Sequence, residues 1–312
     1  MTKEKNQGQA WRRTRIKPAV TMRDDRFWRA VTLGPTIGIF LALTALPIAS
    51  LLAMSFHDIR WVHGAPHWTF VGAKNLLALP QDHLFQAGIA NTILFAVSAV
   101  CVEMVLGFFL ALASSKVSRG RVLYRAVFIL PVLVPGIVIG AIWKLMYNYD
   151  FGVINQLTGL LGMTPYDWLG QKTTALLSVI VVDCWHWTPF CFVLLLAGLE
   201  SQPQEIYEAA KVDGASSWGE LAYITIPLML PTIVVTLIFR LIVAFKVFDE
   251  VFLLTGGGPG TATEVISFTI YRRFFTEDRV GHGSAMSIVT LLLIAMLIVP
   301  ALAAARRKER QP

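Results

Sequence analysis

Charged residues are scarce in this chain. They make up 15% of its 312 residues, whereas a soluble domain carries about 25%. Hydrophobic residues make up 55%, and the mean hydropathy is +0.60. These values exclude an ordinary soluble protein and indicate an integral membrane protein. The net charge of +7 does not indicate nucleic-acid binding, because the basic residues cluster beside apolar segments, where membrane topology explains them.

Cysteine and catalytic motifs are also scarce. The three cysteines, Cys101, Cys184 and Cys191, lie inside apolar runs, which excludes a disulfide framework and offers no metal-ligand spacing. The glycine-rich segment 255–260 lacks the Gly-Lys-Ser/Thr ending of a phosphate loop. With no nucleotide site and no nucleophile beside a base, we expect this chain to be no enzyme and to hold no cofactor or metal.

Six apolar segments are long enough to cross a bilayer, which takes roughly 20 residues. We expect spans near 31–54, 86–113, 122–146, 174–199, 227–254 and 284–305. The chain then divides into a basic tail (1–30), a transmembrane domain (31–305) and a short tail (306–312). The first segment is too long for a signal peptide and lacks a convincing cleavage site, so we expect an uncleaved span.

The distribution of basic residues predicts the orientation. Six spans place both termini on one side, together with 18 lysines and arginines, while the opposite side has 6. Because loops rich in lysine and arginine stay on the cytoplasmic side of the membrane, we expect both termini in the cytoplasm. The opposite loop 55–85 contains four histidines, at 57, 63, 67 and 83. Their irregular spacing does not indicate a metal site, and we expect the loop to lie on the membrane surface or contact an external partner.

The stretch 205–227 is polar, although it lies between two apolar segments. Its pattern predicts a helix over 205–212, a stop at Gly214 and a second short helix over roughly 216–224. Pro227 then suits the first turn of the next membrane helix. Composition alone would allow an ordinary solvated loop. A helix–glycine–helix knob also suits insertion into the groove of another protein.

The spacing inside this stretch favours the docking interpretation. Glu208-Ala209-Ala210, Gly214, Ile224 and Ile226-Pro227 resemble the EAA loop of ABC importer permeases, although that family has Leu where Ile226 stands. In that family the loop is a coupling helix in a cleft of the ATP-binding subunit. The resemblance therefore implies a coupling loop at 200–226, with its contacts made by Glu208, Ala209, Ala210, Asp213 and Gly214.

The resemblance covers about 85–300. Over this range the chain is similar to the carbohydrate branch of the family, the maltose-, trehalose-, glycerol-phosphate- and polyol-type permeases. The matching positions are Asn91-Thr92, Gly107, Ala111, Tyr124-Arg125, Phe128 to Pro131, Trp143, Gly152, Asn155, Phe239-Arg240, Phe245, Phe248-Asp249 and Leu254 to Pro259. It implies an all-α fold of the type I importer permeases in the bacterial inner membrane, with six transmembrane helices and both termini cytoplasmic. The implied partners are a second permease subunit, two ATP-binding subunits that hold ATP and magnesium, an extracytoplasmic solute-binding protein and membrane lipid.

The fourth span presents a candidate solute-binding face. Asp183, His186, Trp187 and Phe190 follow i, i+3, i+4, i+7 spacing and so share one side of a helix. A carboxylate and an imidazole suit sugar hydroxyls, and aromatic rings suit the C–H faces of a sugar. The resemblance implies that these positions line the sugar path. The alternative is that they join helices, which we prefer for Asp183 alone.

The fifth span offers a second face. Arg240, Val243, Ala244 and Val247 share a side, and the resemblance implies that these positions approach the sugar. Lys246 and Glu250, with Asp249, have the spacing of an ion pair within a helix, which is the interpretation we prefer. Alternatively, Lys246 or Arg240 attracts an anionic sugar. We expect Glu103 and Lys144, which also lie within spans, to have structural partners or to extend to the membrane surface.

The function predicted is the permease subunit of an ATP-driven sugar importer, which forms half of the translocation path. Three alternatives remain: an ABC permease for a non-sugar solute, an ion-gradient-driven secondary transporter and a membrane enzyme. A secondary transporter predicts inverted repeats and broken helices, and neither is visible in the sequence. An enzyme needs an acid–base group, to which only Asp183 and His186 come close.

Overall fold

The computed structural model describes residues 22–115 and 120–309. Residues 1–21 of the predicted basic tail, the last three residues of the chain, and Lys116 and Arg119 of the orientation argument lie outside the described residues. The described part is mostly helical. Its helices are α1 (Met22–Ser55), α2 (Lys74–Ala78), α3 (His83–Ser115), α4 (Arg121–Leu133), α5 (Gly136–Met146), α6 (Val153–Leu160), α7 (Lys172–Glu200), α8 (Gln204–Val212), α9 (Ser217–Glu220), α10 (Ile226–Ala244), α11 (Asp249–Leu254), α12 (Ile266–Tyr271) and α13 (Val280–Glu309).

The chain divides into two compact units, of which the first ends at Ser50 and the second begins at Leu51. The first unit is described as helix alone, and its apolar stretch belongs to Phe27–Ser55, which is long enough to cross a membrane. The second unit, from Leu51 onward, holds all the other elements. It includes a short antiparallel hairpin of β1 (His57–Val62) and β2 (Ala65–Phe70).

Helices α3 and α7 form the centre of the second unit. They approach closely because Gly107 has no side chain: a Cβ there would lie 2.8 Å from Cys191 Cβ and 2.9 Å from the Phe192 nitrogen. A second small residue, Gly198, lets α7 approach Thr232 of α10 in the same way. Small residues at such contacts are typical of helix packing in membranes, where close backbone approach increases van der Waals contact.

Among the described residues, five helices are long and apolar enough to cross a membrane, and a sixth crossing exists if α4 and α5 together form one span. These two helices meet at an angle of 97°. Val134 lies in an extended conformation (φ −84°, ψ 129°) because the ring of Pro135 disfavours the helical region for the residue before it. The expectation that the chain contains no broken helix is therefore wrong.

The apolar segment predicted at 227–254 is also interrupted. Helix α10 ends at Ala244, and α11 begins at Asp249 after a turn. At its other end α10 joins α9 through a π-helical turn at Leu221–Thr225, with no gap in the helical run. Pro227 lies in the first turn of α10, as the missing N–H of proline allows.

Candidate functional site

A cavity of about 300 Å³ lies where the start of α5 meets the middle of α7 and the junction of α10 with α11. Six of the nine residues predicted for the solute path line it: Asp183, His186, Trp187, Val243, Lys246 and Val247. Four further lining residues were not predicted for the path: Gly136, Phe248, Asp249 and Glu250. The two predicted faces are thus brought together around one space.

Three predicted path residues, Phe190, Arg240 and Ala244, do not line this cavity. The ring of Phe190 meets Trp187 edge-on at 5.9 Å and stacks on Phe239 at 4.8 Å. Ala244 is buried in the core between the helices. Both residues support the wall of the cavity rather than face it.

Arg240 is the largest fully buried side chain among the described residues. Its Nη2 donates a hydrogen bond to Glu103 Oε1 at 2.8 Å, and the same nitrogen contacts the carboxylate of Asp183. The expected structural partner of Glu103 is therefore confirmed. The joining role preferred for Asp183 is confirmed as well, since its carboxylate links α7 to α10. The two carboxylates balance the charge of the buried guanidinium locally, which explains how charge is tolerated among apolar helices.

The same arginine supports Trp187. The guanidinium carbon lies 5.0 Å from the centre of the indole ring, within the range of a cation–π contact. His186 lies beside the indole, with ring centres 5.0 Å apart. Trp187 is only half-buried and lines the cavity, so it presents aromatic surface there while Arg240 holds it in place.

Glu250 pairs with His186 across the cavity wall. His186 Nδ1 lies 3.2 Å from Glu250 Oε1, and both side chains are buried. The expected ion pair between Lys246 and Glu250 is wrong, because the helix is interrupted between Ala244 and Asp249 and the i, i+4 geometry of a continuous helix does not apply. Within the described residues Lys246 has no ion-pair partner, and it is exposed at the cavity.

The residues missed by sequence reasoning come from the two helix breaks. Gly136 follows Pro135 at the start of α5, and a Cβ there would lie 2.9 Å from Asp249 Oδ2. Asp249 and Glu250 form the first turn of α11, where negative charge is favourable. The available signal was the pair of adjacent acids, Asp249 and Glu250, in an apolar run. Which way their side chains point depends on the helix break after Ala244, and the apolar pattern does not reveal that break.

The predicted docking stretch begins with α8, which confirms the helix expected over 205–212. Gly214 follows with φ +77°, and two hydrogen bonds close the helix end: Ala215 N to Ala210 O at 2.9 Å and Gly214 N to Lys211 O at 3.2 Å. This is a Schellman motif, which needs a left-handed residue and so favours glycine. Ser216 then caps α9 by accepting from Gly219 N at 3.1 Å.

Most of this stretch is solvent-exposed. Ala210 is buried, whereas Glu208, Ala209, Asp213 and Gly214 are exposed. Three large apolar side chains that sequence reasoning had not selected are also strongly exposed: Val212, Trp218 and Tyr223. Large exposed apolar side chains within one short stretch are typical of surfaces that contact other proteins.

Comparison with known families decides the class of this protein. The model of the family described as "Binding-protein-dependent transport system inner membrane component" matches residues 103–310. The chain belongs to this family. The matched region contains the candidate cavity and the docking stretch, so this permease carries both features within the part that defines its family.

Curated relatives of the permease include transport proteins for several solutes. It is 38% identical over 261 residues to the trehalose/maltose transport system permease protein MalF of Thermococcus litoralis, covering 83% of this chain and 87% of that one. It is 31% identical over 269 residues to the sulfoquinovosyl glycerol transport system permease protein SmoG of Agrobacterium fabrum, covering 86% and 87%.

Solved structures agree with this membership. The permease resembles a chain of a bacterial ABC transporter involved in import of the acidic polysaccharide alginate, with a TM-score of 0.79, 26% identity and coverage of 92% of this chain and 97% of that one. The same transporter with its pentasaccharide-bound periplasmic protein gives a TM-score of 0.79 at 25% identity, covering 93% of this chain and 97% of that one. The permease is thus a multi-pass membrane component with the helical fold of ABC importer permeases.

Proposed function

We propose that this permease forms one half of the translocation path of an ATP-driven importer for a sugar or sugar derivative. The observation that carries the proposal is the cavity beside Trp187. An aromatic ring suits the C–H face of a sugar, and His186, Asp249 and Glu250 supply donors and acceptors for hydroxyl groups at the same space. The names of the relatives, which include trehalose/maltose and sulfoquinovosyl glycerol, support the same class.

The proposed topology has six spans, with α4 and α5 counted as one broken span. In sequence, the predicted tails 1–30 and 306–312 flank a transmembrane domain at 31–305. Both tails lie in the cytoplasm. The excess of basic residues near the termini supports this orientation. We also place the protein in the bacterial inner membrane, which the description of its family supports.

ATP hydrolysis is assigned to partner subunits. The complex pairs this chain with a second permease, two ATP-binding subunits that bind ATP and magnesium, and an extracytoplasmic solute-binding protein. The periplasmic protein in the alginate transporter complex supports the last of these. The exposed α8 and its closed glycine turn form the surface for the ATPase, with Glu208, Ala209, Ala210, Asp213 and Gly214 in the coupling loop 200–226.

Coupling requires that the ATP-binding subunits contact the permease differently in two states. A knob closed by the Schellman motif transmits movement as a rigid body, because its backbone hydrogen bonds already fix the turn. The helical run from α9 through α10 ends at the cavity, next to Val243 and Lys246. Motion of the docking loop thereby reaches the solute path along continuous helix.

The charges around the cavity favour a neutral solute. Four acidic side chains, Glu103, Asp183, Asp249 and Glu250, lie in or directly behind its wall, against the two basic side chains Arg240 and Lys246. The excess of negative charge opposes an anion. A second candidate, an anionic sugar, has one observation in its favour: Lys246 is exposed and has no ion-pair partner within the described parts of the chain.

The deciding experiment is ATPase stimulation of the reconstituted complex, with its binding protein, by a panel of neutral and anionic sugars. We expect one solute to stimulate the wild type and Trp187→Ala to abolish that stimulation. Trp185→Ala is the matched control, because Trp185 lies on the same helix but lines a separate apolar groove. Equal loss in both variants, or no loss in Trp187→Ala, would refute the proposed path.

The same preparation separates the alternatives. Uptake that persists without ATP in the presence of an ion gradient would indicate a secondary transporter, and stimulation by a non-sugar solute alone would change the solute class. Lys246→Ala tests the anionic candidate. Unchanged uptake of every anionic sugar in that variant would remove it.

A further inference from the structure

The hairpin between α1 and α2 has two chemically different faces. Its register pairs His57 with Phe70, Ile59 with Trp68 and Trp61 with Pro66. Because side chains alternate along a strand, one face, here termed the aromatic face, consists of His57, Ile59, Trp61, Pro66, Trp68 and Phe70. The opposite face consists of Asp58, Arg60, Val62, Ala65, His67 and Thr69.

Apart from the buried Ile59 and the half-buried His57, the aromatic face is exposed although it is apolar. Phe70 is 71% exposed, Trp61 55% and Trp68 44%. The ring of His57 lies edge-on to both Trp68 and Phe70, with ring centres 5.4 Å apart in each case. The face carries no carboxylate, lysine or arginine, whereas Arg60 on the other face donates to Asp58 at 2.9 Å.

The base of the hairpin is fixed to the rest of the unit. Asn75 Nδ2 donates to the backbone oxygens of Ser55 and His57, each at 3.0 Å. Gly281 of α13 approaches so closely that a Cβ there would lie 2.0 Å from His57 O. Ile59, which pairs with Trp68 across the hairpin, is buried. The aromatic face is therefore held in one direction by the fold.

The hairpin directly follows a candidate membrane span in the chain. Helix α1, which carries an apolar stretch long enough to cross the bilayer, ends at Ser55. A strand rises about 3.3 Å per residue, so His57 lies within about 7 Å of Ser55, and Phe70 is its partner in the hairpin. The polar layer of a bilayer is roughly 5–8 Å deep on each side. A hairpin whose base lies this close to the end of a candidate span starts within reach of the lipid headgroups.

We propose that the aromatic face of this hairpin lies in the headgroup layer of the membrane and that its partner is the lipid surface. Tryptophan is enriched at this depth because its ring is apolar and its N–H is polar. The charged side chains of the opposite face then point to water. The four histidines of this loop need no metal under this proposal, and it stands independently of the transported solute.

The test uses a nitroxide label on the full transporter complex in liposomes, in a Cys101→Ser background because Cys101 is the exposed cysteine among the described residues. Labels at Phe70→Cys and Thr69→Cys occupy neighbouring positions on opposite faces. For each label, the collision rate with oxygen, which partitions into lipid, is divided by the collision rate with a water-soluble nickel chelate. We expect this ratio to be several-fold higher at position 70 than at position 69. Equal, water-like ratios at both positions would overturn the proposal.

A second measurement needs no label. Tryptophan fluorescence of the same complex is quenched by lipids brominated near the headgroup end of the acyl chain. We expect the double variant Trp61→Phe, Trp68→Phe to lose quenching relative to the wild type. Unchanged quenching would contradict the proposal. The proposal would also be contradicted if the label at position 70 became shielded from the nickel chelate only after the solute-binding protein is added, because that result would assign the face to a protein partner.

Discussion

The guanidinium carbon of Arg240 lies 5.0 Å from the ring centre of Trp187, so a residue that never reaches the candidate cavity holds the ring that does. Glu103 of α3 and Asp183 of α7 bind the same guanidinium. Three helices thereby determine the position of one indole. Strong support of this kind is what a binding site requires if its geometry is to survive conformational change.

Loss of the Arg240 guanidinium should destabilise the permease severely. Arg240→Met leaves two buried carboxylates without their cation, and breaking a buried ion pair costs about 3–5 kcal/mol. We expect a clearly lower midpoint of thermal unfolding for the purified complex in detergent. The triple variant Arg240→Met, Glu103→Gln, Asp183→Asn removes the charges together and should recover part of the loss. A single variant as stable as the wild type would contradict this view of the cluster.

The turn at Gly214 should tolerate asparagine better than alanine. Its φ of +77° is left-handed, which costs an ordinary L-residue roughly 1–2 kcal/mol, whereas asparagine adopts it more readily. A Cβ at this position meets no heavy atom within 4 Å, so a steric clash cannot explain an effect. We expect Gly214→Ala to weaken solute-stimulated ATPase activity while Gly214→Asn keeps most of it. Indistinguishable activities would show that the glycine turn does not govern coupling.

The elements that sequence could predict are those governed by local rules. The helix over 205–212 and its glycine stop follow from propensity and capping, and the shared face of Asp183, His186 and Trp187 follows from helical periodicity. Apolar length identified the long helices. Each of these depends on residues within a few turns of one another, which is why one sequence suffices.

The elements that sequence could not predict depend on helix breaks and distant pairs. The break before Pro135 brings Gly136 against Asp249, and the break after Ala244 directs Glu250 to His186 instead of Lys246. An unbroken span was assumed in both cases, so the ion pair was assigned within one helix. The partners of Arg240 lie 57 and 137 positions away in the chain, beyond the reach of any periodic pattern.

Adding a methyl group at Gly107 should destabilise the central helix pair. The new Cβ would lie 2.8 Å from Cys191 Cβ and 2.9 Å from the Phe192 nitrogen, and overpacking of this kind costs typically 1–3 kcal/mol. We expect Gly107→Ala to lower the unfolding midpoint of the complex. Gly159→Ala is the matched control, because a Cβ there meets nothing within 4 Å and alanine favours helix. If both variants unfold at the same temperature, α3 and α7 do not depend on this close approach.

Asp82 joins three elements at the start of α3, and its charge should stabilise the protein in a pH-dependent way. Its Oδ2 lies 2.8 Å from Arg273 Nη2 and 2.9 Å from His282 Nε2, while Oδ1 accepts from the backbone nitrogens of Leu84 and Phe85. Burial opposes ionisation, but the hydrogen bond with His282, the backbone N–H groups and the charge of Arg273 together lower the pKa of Asp82 below its usual 3.8.

A lowered pKa in the folded state means that the carboxylate stabilises the fold above its unfolded pKa and stops doing so as the pH falls through the folded value. Asp82→Asn keeps an oxygen that can cap α3 but removes the charge. We expect the wild type to unfold at a higher temperature than Asp82→Asn by an amount that is constant down to about pH 5 and shrinks below pH 3.8. Glu277, which also binds Arg273, is common to both variants. A difference that does not shrink below pH 3.8 would contradict the role of the Asp82 charge.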